Sequence, residues 1–187
     1  MIIKELSLVF RSFILSFLFI IFTSVSAFTV DLSAGAGLSL ASLLEITEID
    51  GVSGKSAVSG FGLNAFADAT YVQVGAGVLI YTDTVYMNFS GFLKYPFEFA
   101  DMLVFPMMGG EYRYNIDYSD ANFFMLKAGV GTDMYLSDNF YLRPTLLFGY
   151  AFLSDMEDTR IEAYGNFRGA SITKICMDIS ASIGYRF

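Results

Sequence analysis

The feature that most limits the fold of this chain is a two-residue rhythm. "KICMDISASIGYRF", Lys174 to Phe187, sets Ile175, Met177, Ile179, Ala181, Ile183, Tyr185 and Phe187 against Lys174, Cys176, Asp178, Ser180, Ser182, Gly184 and Arg186. Successive side chains point to opposite sides of a strand, so the segment has one apolar face and one small or polar face. The rhythm returns in "FTVDLSAGAGL" (28–38), "FGLNAFADA" (61–69), "VQVGAGVLIY" (72–81) and "MNFSGFLKY" (87–95). It returns again in "VFPMMGGEYRYNID" (104–117), "FFMLKAGVGTDM" (123–134) and "LRPTLLFGY" (142–150). Segments of about ten residues with this period are the strand signature of a transmembrane barrel. Their number, eight, is even, as up-and-down closure requires.

Charge placement separates a membrane barrel from a soluble one. The apolar faces carry no Asp, Glu, Lys or Arg. The opposite faces hold six acids (Asp31, Asp68, Glu111, Asp117, Asp133, Asp178) and six bases (Lys94, Arg113, Lys127, Arg143, Lys174, Arg186). The net charge of −8 therefore comes from the gaps between runs and the N-terminal stretch. A base on a lipid-facing midplane position costs roughly 2–4 kcal/mol, so a bilayer demands a clean face. A lipocalin-like barrel or a sandwich could share the alternation with apolar residues inside. It would, however, expose Gly35, Gly37, Gly75, Gly77, Gly109, Gly129, Gly131 and Gly184 beside balanced charges. Small and charged residues together suit a narrow polar lumen better. The twelve charges are expected to form one lumen network.

Bulk composition agrees. Hydrophobic residues are 55% and charged residues 16%, and mean hydropathy is +0.53, high for a soluble domain. The longest apolar run, Phe13–Phe22, is shorter than the roughly 20 residues of a spanning helix. It follows Lys4 and Arg11 and precedes "VSA", with Val25 and Ala27 placed for cleavage, the order of a secretory signal. The expected organisation is a cleavable signal peptide over 1–27 and an outer-membrane barrel over 28–187. The fold class is all-β, an eight-stranded antiparallel up-and-down transmembrane β-barrel with both termini periplasmic. The two longest gaps, Ser39–Gly60 and Ala151–Thr173, then become outside loops. Tyr71, Tyr95, Tyr141, Tyr112, Tyr114, Tyr150, Tyr185 and Phe187 are expected as interfacial girdles in outer-membrane lipid.

With these features the chain resembles the small bacterial outer-membrane barrels of the OmpX, OmpA-domain and OmpW type. "LKYPFEF", "FPMMGGEYRY", "AGVGTD" and "LRPTLLFGY" are similar to stretches of spirochaetal outer-membrane barrels. The resemblance implies that Ile183, Tyr185 and Phe187 form the C-terminal signal read by the barrel-assembly machinery. It is specific for architecture and weak for activity. No peptidoglycan-binding domain follows the barrel, which speaks against an OmpA-like tether. The charged lumen departs from the apolar lumen of OmpW.

Function is bounded mainly by what is missing. His is absent, removing the usual base of membrane-barrel hydrolases; "DMED" (155–158) reads as solvated loop acids, so no catalytic residue and no enzyme is expected. There is no Cys/His zinc motif, and acidic loop residues alone do not specify a divalent cation; no metal or cofactor is expected. The acidic balance argues against nucleic acid. Cys176, the sole cysteine, cannot form an intrachain disulfide and reads as a lumen filler. Eight strands leave an interior that side chains just fill. Two readings stay open: a closed, charge-paired barrel with a structural or adhesion-like role toward a host or extracellular ligand at its outside loops, or an OmpW-like, porin-like narrow channel for small solutes.

Overall fold

The structure, a computed structural model, describes residues 31–100, 102–163 and 171–187. The expected signal peptide and residues 28–30 of the first run lie outside the described residues. The strands are β1 (Leu32–Ile49), β2 (Val52–Ala69), β3 (Val72–Ile80), β4 (Val85–Lys94), β5 (Phe97–Phe99), β6 (Met102–Asn115), β7 (Phe123–Tyr135), β8 (Phe140–Ala151) and β9 (Ser171–Arg186). A 3-10 turn (Ser119–Ala121) links β6 to β7, and helix α1 (Asp155–Ala163) follows β8. Apart from β4 and β5, neighbours in the chain pair antiparallel, β1 pairs with β9, and β4 pairs with β6, which closes a ring of eight strands. The short β5 is outside that count. It pairs with β6 beyond the end of β4 and extends that hairpin past the ring.

Exposure decides which way the faces point. Leu63 is 65% exposed and Phe148 52%, while Arg113 is 0%, Arg143 1% and Lys127 3% exposed. Apolar side chains thus cover the outside and charges line the inside, the inverse of a soluble barrel. Ring closure leaves no open edge within the apolar belt, the condition for strands to cross a bilayer.

The two ends differ. Leu32 and Arg186 lie at one end, together with tight turns such as Thr70–Tyr71. The other end carries the expected loop Ser39–Gly60, which is not a loop. β1 and β2 continue through it as a hairpin in unbroken register from Leu32↔Ala69 to Ile49↔Val52. β1 has 18 residues, about 60 Å at roughly 3.4 Å per residue, against a membrane band of about 25 Å. The hairpin turns at Asp50 (φ 51°) and Gly51 (φ 77°), both left-handed as a two-residue type I′ turn requires. The second expected loop also contains regular structure, helix α1.

Candidate functional site

The lumen is built in layers, each of two acids and two bases. The first lies near the terminal end, where β2, β4 and β7 finish and β8 starts. Lys94 Nζ is 2.5 Å from Asp68 Oδ2, and Arg143 Nη2 is 2.7 Å from the same oxygen. Arg143 also donates Nε to Asp133 Oδ1 at 2.5 Å and Nη2 to Oδ2 at 2.7 Å, a two-pronged pair, and Nη1 to Gln73 Oε1 at 3.0 Å. Three rings enclose its guanidinium: Phe66 at 4.5 Å, Phe105 at 5.0 Å and Tyr141 at 5.0 Å. Such contacts strengthen when desolvated.

Glycine makes room for this cage. Gly184 faces Tyr141 across the β8–β9 ladder, and a Cβ on Gly184 would fall 2.1 Å from the ring. Tyr141, expected in the outer girdle, is therefore an inward side chain, 2% exposed, whose hydroxyl donates to Ser33 Oγ at 2.8 Å. Its place on β8 is two residues from Arg143, and so on the same face.

The second layer joins β6, β7 and β9. Arg113 Nε donates to Glu111 Oε1 at 2.8 Å, and its Nη2 lies 3.1 Å from Asp178 Oδ2. Lys127 is 2.7 Å from Glu111 Oε2 and also pairs with Asp178. Tyr81 accepts the remaining Arg113 Nη1 at 2.6 Å. These charges are buried and mutually compensated, the only condition under which ions persist away from water.

The third layer takes in Glu45, Glu157 and Arg160, all from the two segments expected as outside loops. Lys174 on β9 pairs with Glu157 on α1 and lies 3.9 Å from Glu45 on β1. Arg160, one turn along the helix, reaches Glu45 at 3.1 Å. Glu157 serves twice. Its Oε2 accepts the Ser154 backbone N–H at 2.8 Å and the Ser154 hydroxyl, while its Oε1 takes Lys174. Ser154 directly precedes the helix and Glu157 sits three residues on, the spacing of a capping box.

Apolar clusters alternate with the charges. Phe92, Phe105, Met107 and Leu147 form one; Phe123, Met125, Ala151 and Cys176 form another, with Leu43 and Tyr86 against it. A cavity of about 80 Å³ lies between the first two layers, with Asn64, Asn88, Ser90, Arg143, Glu111 and Asp178 among its mixed polar and apolar lining. Asn88 Oδ1 is buried there without a hydrogen-bond partner among the described residues, and the space suits a few water molecules.

Of the twelve charges expected to form one network, the structure brings nine into these layers: Asp68, Lys94, Asp133 and Arg143; Glu111, Arg113, Lys127 and Asp178; and Lys174. Three lie elsewhere. Asp31 precedes β1 and is exposed. Asp117 lies beyond the end of β6, exposed, with its N–H on Asn115 Oδ1 at 2.9 Å. Arg186, half-buried, ends β9 at the rim. Parity along a strand fixes direction only while the strand continues, and these three sit at or past an end. Ile183, Tyr185 and Phe187 point outward, 58%, 39% and 77% exposed, with Tyr185 edge-on to Phe187 at 5.3 Å. Among the described residues no group of three or more acids or cysteines could hold a metal ion.

No protein-family model and no curated protein matches the sequence. Solved structures are similar to it in fold. The outer membrane protein OprG from Pseudomonas aeruginosa is 12% identical, with 84% of this chain and 95% of that chain covered and a TM-score of 0.48. Neisserial surface protein A is 11% identical over 83% and 99% of the two chains, at 0.42. Ail of Yersinia pestis, solved with the heparin analogue sucrose octasulfate, is 14% identical over 82% and 99%, at 0.38. Ring closure, an apolar outside and a charged inside make the present chain an eight-stranded transmembrane β-barrel.

Proposed function

We propose that this is an outer-membrane barrel with a closed lumen that acts at the cell surface through the β1–β2 hairpin, both termini being periplasmic. The neutral layers support closure, because a solute entering from either end meets compensated ion pairs packed against apolar rings. The observation that carries the surface role is the free edge of β2. β3 ends opposite Phe61, so from Val52 to Gly60 β2 is paired with β1 alone among the described residues. The turn makes Ile49 and Val52 a hydrogen-bonded pair, and the antiparallel ladder alternates from there. The N–H and C=O groups of Ser53, Lys55, Ala57 and Ser59 consequently face the open edge.

Such an edge pairs with an extended segment of another protein. Its side chains are small, with Lys55 the sole charge, so main-chain hydrogen bonding dominates. The test is attachment to host-cell layers by bacteria displaying the protein. Ala57→Pro removes an outward N–H without touching the β1 ladder and should reduce attachment sharply. Ala57→Ser should leave it unchanged. Equal attachment by the proline variant at equal surface level would refute this reading.

A further inference from the structure

We infer that α1 is a latched lid over the lumen end opposite the termini, held shut by the third charge layer and able to open without the barrel unfolding. Three observations carry it. The helix is placed across the mouth: it lies against the 3-10 turn between β6 and β7 and against β9, while Arg160 reaches β1. In ring order β1 and β9 stand nearly opposite the β6–β7 link. The helix adds no strand pairing, so its hold on the ring comes from side chains. And the contacts are unequal in burial. Glu157 and Lys174 are 4% and 6% exposed, whereas the Arg160 side chain is 41% exposed.

Glu157 is the centre of the latch, since the same carboxylate caps the helix and binds Lys174. Loss of its charge weakens the helix start and the attachment together. The groups around it are Lys174 from β9, Glu45 from β1 sharing that lysine, Arg160, Asp158 and Glu162 on the helix itself, and the exposed Asp120 on the 3-10 turn. Among the described residues the ion pairs of this arrangement share no partner with the first two layers and meet them through the Phe123 ring, 5.3 Å from Lys174 Nζ and 5.9 Å from the Arg113 guanidinium carbon, so the lid can move while those layers stay intact.

A native reporter sits directly beneath. On the lumen face of β9 the order is Asp178, Cys176, Lys174, and Cys176 is 1% exposed under the latch. The experiment is the labelling rate of Cys176 by a small charged methanethiosulfonate reagent, with the full protein refolded in lipid vesicles. Hydrogen exchange is followed in parallel. Glu157→Gln should speed labelling by roughly tenfold or more and raise exchange in α1, while β7, β8 and β9 keep their protection. Arg160→Ala, at a surface position, should act in the same direction more weakly, and serves if the first variant does not fold. Unchanged labelling in the folded variants would overturn the lid. So would labelling that rises only with exchange across the whole barrel, because Cys176 would then be reached by unfolding.

Discussion

β2 is one strand in two settings. From Phe61 to Ala69 its outward side chains are Phe61, Leu63, Ala65, Ala67 and Ala69, and its inward ones include Asp68 and Asn64. From Val52 to Gly60 the outward face becomes Ser53, Lys55, Ala57 and Ser59, in the same sheet and the same register. Backbone geometry does not change at the boundary; the solvent does. Apolar alternation therefore records the lipid around a strand rather than the strand itself. Below the boundary every charge must turn inward and find a partner, and above it Lys55 and Glu48 can face out at little cost.

The sharpest way to break this contrast is to compare two arginines. Arg143→Met takes the ion-pair partner from buried Asp133 and leaves Asp68 with Lys94 alone, and should cost about 3–5 kcal/mol in vesicle unfolding. Arg160→Ala, at the wet end, should cost less than about 1 kcal/mol of global stability. Comparable losses would mean that the first layer is solvated. Next in size is a pair on the outward face of β2. Leu63→Arg should lower stability in bilayers by roughly 2–4 kcal/mol, and Ala57→Arg should stay within about 0.5 kcal/mol of wild type. Equal effects would place the boundary wrongly. By contrast, Gly129 is a poor probe of lumen tolerance, because a Cβ there would fall 2.0 Å from the Leu146 carbonyl oxygen.

The smallest effect expected is with acid. Burial opposes ionisation of Glu157, but hydrogen bonds from Lys174 and Ser154 outweigh it and hold the carboxyl below the usual glutamate range. Because the folded value is lowered, its contribution to the latch is complete above the ordinary glutamate pKa of about 4.3. It is lost as pH falls through the lowered value. Hydrogen exchange in α1, corrected for the intrinsic rate, should rise on acidification below that range, and Glu157→Gln should abolish the step.

The ring itself was legible because lipid enforces a clean outer face in all eight runs. The hairpin extension was not, since beyond Phe61 neither face has to be apolar and the two-residue contrast fades. Asp50–Gly51 was the remaining clue, as Asp-Gly between extended segments favours a type I′ turn. Helix α1 had its own local sign in "SDME", Ser154 to Glu157, which reads as a capping box instead of a run of solvated acids. The inward Phe105, Phe123, Met125 and Tyr141 were harder. An apolar residue on a mostly polar face looks like noise, and only the glycines opposite and the cations beside them give it a role. Pairing partners were beyond reach, because they depend on the stagger of strands around the ring.

Single-channel recording shows whether the lumen is closed. Purified protein refolded into planar bilayers should show little or no steady conductance, with brief openings at most. Lys127→Gln, which removes one of the two bases shared by Glu111 and Asp178, should add cation-selective events. A large, stable wild-type conductance would contradict the account and favour a narrow solute channel.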